Sequence, residues 1–122
     1  MLTLPSSVRV YLAVDPVSMH LSFDRLAGLV RQLGLDPTAG HLFVFVNRPK
    51  THMKILFFDR SGFCQVYKRL ERGTFQLPVE NLTGTLRREL TPTELGLILE
   101  GVDLEVRARR VRHGRVPTPR PS

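Results

Sequence analysis

The chain has no tryptophan, one cysteine and two tyrosines among its 122 residues. The lone cysteine, Cys64, rules out an intrachain disulfide framework and fits a reducing cytoplasm. No apolar run approaches the roughly 18–20 residues needed to cross a bilayer. The opening MLTLPSSVRVYL lacks the basic start and long apolar stretch of a signal peptide, so a cytoplasmic protein without membrane contact is expected. His20, His41, His52 and His113 lie far apart and show neither H-x-x-H nor H-E-x-x-H spacing, which argues against a structural zinc site. Walker, G-x-S-x-G and dinucleotide fingerprints are missing too. A metal-dependent nuclease needs several converging carboxylates. Here Asp15, Asp24, Asp59 and Glu71 are each explained locally, by a strand end, a helix start and two turns. No catalysis, cofactor, metal or small-molecule substrate is therefore expected.

What is present is ordinary in bulk and uneven in charge. Apolar residues make up 42% and charged residues 24%, as in a soluble globular protein, and the length suits one core. The net charge is +7, yet residues 106–122 hold six arginines and no acid. Residues 1–105 carry twelve Lys and Arg against eleven Asp and Glu, so that body is close to neutral. The expected organisation is a single domain over 1–105 and a basic, Arg/Pro-rich tail over 106–122 with too little apolar content to fold alone.

Periodicity predicts an α+β domain: an antiparallel sheet of about five strands with two helices packed on it. Val8, Val10, Leu12 and Val14 alternate with Arg9, Tyr11 and Ala13 as in a half-buried strand, stopped by Asp15-Pro16. Phe23, Leu26, Ala27, Val30 and Leu33 follow helical spacing after Ser22 as cap, with Gly34 as the stop. His41–Val46 is apolar on both faces and reads as a central strand. Thr91-Pro92-Thr93-Glu94 is a capping box before a second helix that ends near Gly101.

Residues 53–77, MKILFFDRSGFCQVYKRLERGTFQL, read as three consecutive antiparallel strands. A type I turn with a Gly bulge at Asp59-Arg60-Ser61-Gly62 places Asp59 opposite Phe63. Counting back pairs Phe58 with Cys64, Leu56 with Val66 and Lys54 with Lys68. A similar turn at Glu71-Arg72-Gly73 pairs Leu70 with Thr74 and Arg69 with Phe75. One face then collects Met53, Ile55, Phe57, Tyr67, Phe75, Leu77 and Val79 as core. A loop one residue shorter would exchange the faces of a strand.

In this register Lys54 lies across from Lys68, a like-charge pair that destabilises unless an anion sits between. A DNA phosphate would serve, with Arg48, Lys50, Arg60 and Arg69 extending the patch; solvated side chains with diverging ammonium groups are the alternative. The tail arginines, among them Arg107, Arg109, Arg110 and Arg112, suit nucleic acid or an acidic partner. A solvated tail that only aids solubility is the other reading. Leu56, Phe58 and Val66 form an apolar patch for a protein partner.

Six ordered segments carry a resemblance. They are VRVYLAVDPVSM (8–19), SFDRLAGLV (22–30), GHLFVFVNR (40–48), KILFFDRSGF (54–63), YKRLERGTFQLP (67–78) and LTPTELGLILEGVDL (90–104). In this order and spacing the chain resembles the TnpB accessory proteins of insertion sequence 66 type transposable elements. That resemblance implies a non-catalytic accessory role in DNA transposition, beside the separate transposase of the same element; the basic strand residues and tail add element-end DNA as a further expected partner. An adaptor that docks the transposase without touching DNA is the alternative it leaves open. The sequence departs from the family pattern at His20-Leu21, where a basic pair is usual, and at Phe58 and Val66, where a tryptophan and another aromatic are common.

Overall fold

Alternation and capping build two helices and five strands in the computed structural model, which describes residues 4–78 and 84–101. The elements, in chain order, are β1 (Val10–Ala13), α1 (Phe23–Gln32), β2 (Leu42–Val46), β3 (His52–Asp59), β4 (Gly62–Arg69), β5 (Arg87–Leu90) and α2 (Pro92–Glu100). They form one sheet in the order β4-β3-β2-β1-β5, antiparallel except for the parallel neighbours β1 and β2. The fold is α+β, as the periodicity predicts. Parallel strands cannot be joined by a tight turn, and α1 makes the crossover between β1 and β2.

Each helix is fixed by its ends. The Ser22 side chain accepts from the Arg25 N–H, and Gly34 just past α1 takes a left-handed φ of 79°. In α2 the Thr91 hydroxyl accepts from Glu94 N while the Glu94 carboxylate accepts from Thr91 N, and Gly101 closes the helix at φ 76°. These bonds pair amides that a helix start otherwise leaves open.

The helices cover opposite faces, so β2 is apolar on both sides. Phe43 and Phe45 point with Ala13 and Leu56 toward Leu26, Ala27 and Val30 of α1. Val44 and Val46 point the other way, with Val10, Leu12, Met53, Ile55 and Leu90, toward Leu95 and Ile98 of α2. Each fully buried side chain of this size contributes about 1.5–3 kcal/mol.

The β3–β4 hairpin departs from the expected register. Asp59 pairs with Gly62, so the loop is only Arg60-Ser61, and Lys54 faces Tyr67 while Met53 faces Lys68. Arg60, rather than Gly62, takes the left-handed conformation, at φ 48°. The loop is one residue shorter than a Gly-bulge turn, and every β4 side chain changes face. Phe63 meets Phe58 edge-on at 5.2 Å, and Tyr67 lies beneath the Lys54 ammonium at 5.2 Å.

The third strand expected within 53–77, from Thr74 on, does not form. Gly73 is left-handed at φ 69°, but Phe75 N donates to Lys50 O at 2.7 Å instead of pairing with β4. Phe75 and Leu77 still pack in the core on the α2 side, as expected, whereas Tyr67 is on the other face. Val79 lies outside the described residues. The fifth strand is β5, bonded to β1 from Val10↔Leu90 to Ala13↔Arg87.

Candidate nucleic-acid interface

The β2–β3 connection is a turn organised by one amide. Lys50 N donates to Asn47 O at 3.0 Å, and Lys50 adopts a left-handed φ of 60°. The Asn47 Oδ1 accepts from Thr51 N at 2.9 Å and His52 N at 3.1 Å. Those two bonds fix which end of the amide is oxygen, so its Nδ2 donates to Thr51 Oγ1 at 3.2 Å and to His52 Nδ1 at 3.1 Å. His52 Nδ1 also lies 2.8 Å from Thr51 Oγ1, which closes the cluster.

The chain leaving β4 folds back on this turn. Leu70 N donates to Thr51 O at 2.9 Å, and Phe75 N donates to Lys50 O. Arg48 and Lys50 on the turn, Arg69 across from His52, and Arg72 in the returning loop thus share one end of the sheet, all exposed. Arg69 pairs with Glu71 at 3.0 Å, with the two side chains 66% and 80% exposed, so the pair holds weakly. Among the described residues, Arg48, Lys50 and Arg72 have no carboxylate within ion-pair distance.

Lys54 and Lys68 do not stand side by side. Lys54 is 6% exposed on the α1 side, its Nζ 3.4 Å from Leu21 O. Lys68 is on the opposite face, where its ammonium donates to Leu99 O. It caps the last turn of α2, which has no basic residue of its own. Arg60 sits at the hairpin tip, about 24 Å along β3 from the Lys50 end at 3.4 Å per residue. Arg107, Arg109, Arg110 and Arg112 lie outside the described residues. The structure thus brings together Arg48, Lys50 and Arg69, separates them from Arg60, and turns Lys54 and Lys68 inward to structural contacts.

The apolar docking patch is also dismantled. Leu56 is fully buried against α1, Phe58 shares its face, and the 49% exposed Val66 projects from the other face. Two contributors escaped the sequence reading, Arg72 and the Asn47 hub. The turn residues around Gly73 and the Asn-Arg-Pro-Lys string were the available signals, but only the return of Phe75 to Lys50 joins them.

No three metal-ligating side chains converge among the described residues. No helix among them is long and apolar enough to cross a membrane. Two uncharacterized proteins of Sinorhizobium fredii are similar to the chain. The protein y4hO is 37% identical over 103 residues, covering 82% of this chain and 87% of the relative. The protein y4jC is 31% identical over 97 residues, covering 79% and 80%. No solved structure matches significantly. The family model described as IS66 Orf2 like protein matches residues 8–109. With that match spanning most of the chain, the protein belongs to the IS66 Orf2 like family of transposition-associated accessory proteins.

Proposed function

We propose that the protein assists transposition of its insertion element without catalysing a step, by contacting element-end DNA through the basic end of the sheet and the arginine tail. It acts in the cytoplasm beside the element's transposase. The observation that carries this reading is the convergence of Arg48, Lys50, Arg69 and Arg72 at one end, opposed there by the weakly held Glu71. The turn bearing two of them is held by four bonds from Asn47, so little ordering is required on binding. Such a surface neutralises phosphates without reading bases. The tail residues Arg107, Arg109, Arg110 and Arg112 add charge of the same sign.

Phosphate contacts release counterions, so affinity for an element-end duplex should fall steeply with salt, with a log–log slope of about −0.9 per phosphate neutralised. A fluorescence-anisotropy titration at several salt concentrations measures it. A weak, salt-independent signal together with retention of the chain on immobilised transposase would replace this reading with that of a protein adaptor.

A further inference from the structure

Among the described residues the sheet ends in β4 on one side and β5 on the other, and the two edges are built differently. β5 reads Arg-Arg-Glu-Leu, and its charges discourage another strand from adding there. β4 is an eight-residue edge whose central residues Phe63–Tyr67 carry neither charge nor proline. Val66 and Tyr67 are 49% and 53% exposed, on opposite faces of this strand. The backbone direction is also defined. Leu70 N bonds inward to Thr51 O, so by antiparallel alternation the amides and carbonyls of Phe63, Gln65, Tyr67 and Arg69 point outward from the edge.

We infer that β4 pairs antiparallel with β4 of a second copy of this chain, about a two-fold axis at Gln65, joining two sheets into one of ten strands. The outward backbone groups of Gln65 meet their symmetry mates, and those of Phe63 meet Tyr67 of the other copy. On the α1 side this places Phe63 against the other Tyr67 ring, an aromatic cross-strand pair. On the α2 side Cys64 meets the other Val66 and covers its exposed face. The antiparallel sense also suits the charge. Lys68 and Arg69 lie together at one end of β4, so the two basic ends separate, and Lys68 falls opposite the other Gly62. A parallel arrangement would bring the like charges together.

Sedimentation equilibrium of the full chain should give twice the chain mass in the micromolar range. Gln65→Pro removes an outward amide at the axis while leaving the inward ladder intact, and should give the single-chain mass with an unchanged circular dichroism spectrum. The register is tested independently by cysteine chemistry. Val66→Cys should form a reducible crosslinked dimer with Cys64 of the other copy, and adding Cys64→Ser should abolish it. A single-chain mass for the unmodified protein at hundreds of micromolar would overturn the inference. So would a crosslink that persists when Cys64 is replaced, because Val66 would then face Val66. Recruitment of a transposase strand to β4 by a chain that is monomeric alone would overturn self-pairing as well.

Discussion

Asn47 makes a basic turn into a fixed one, because its two amide ends are committed to four partners on Thr51 and His52. Replacing it with alanine orphans two part-buried backbone amides, and each orphan costs about 1–3 kcal/mol unless water enters. Asn47→Ala should therefore lower the urea unfolding free energy by about 2–6 kcal/mol with both amides left dry, and by less where water reaches one, and weaken DNA binding without removing a charge. Asp36 tests the acid limb. Its carboxylate accepts from Thr38 N at 2.9 Å and Thr38 Oγ1 at 2.8 Å. The backbone bond first, then the hydroxyl bond, and also the nearby Arg31 hold its pKa below the ordinary 3.8. A depressed carboxylate stabilises the fold above its unfolded pKa and loses that contribution as pH falls through the folded value. The urea midpoints of the wild type and Asp36→Ala should therefore differ at neutral pH and converge below about pH 4.

At the scale of elements, the β3–β4 hairpin holds the sharpest lesson. Asp-Arg-Ser-Gly fits a Gly-bulge turn on residue preferences alone, but Arg60 accepts the left-handed position and the loop shortens by one. What decides is tertiary. The short loop packs Phe63 on Phe58 and sends Lys68 to the carbonyl end of α2, neither of which is visible in a turn's own residues. Arg60→Gly should relieve the left-handed strain and raise stability by roughly 0.5–1 kcal/mol in thermal or urea melts. Lys68→Met, which keeps the apolar stem, should destabilise by about 0.3–1 kcal/mol through the uncapped helix end and leave DNA affinity unchanged. Both helices were legible because Ser22, Gly34, Thr91, Glu94 and Gly101 are local signals with local partners. β5 was not legible. Four residues with three charges show no apolar alternation, and the strand exists because Arg88 and Leu90 can lie along Leu12 and Val10.

For the whole molecule, the sequence identified the apolar sides of β2 and the antiparallel β3–β4 neighbours, but not the register of that pair nor that β1 lies between β2 and β5. The parallel β1–β2 pair follows from α1 crossing over, and Arg87 on β5 ties in the far end of that helix through Leu33 O. The same limit applied to the basic residues. Arg48, Lys50 and Arg69 were candidates by charge, yet their grouping needs the chain to return from Leu70 to Phe75 across the turn. Lys54 looked equivalent in the sequence and is buried beneath α1, so its ammonium serves Leu21 O and the Tyr67 ring. The most direct test of the account is the salt slope of affinity for an element-end duplex, compared between the wild type and the Arg48→Ala/Lys50→Ala/Arg69→Ala/Arg72→Ala variant. If these side chains neutralise phosphates, the variant should bind more weakly and its slope should be shallower by about one for each contact removed. Identical slopes and affinities in the two proteins would contradict it.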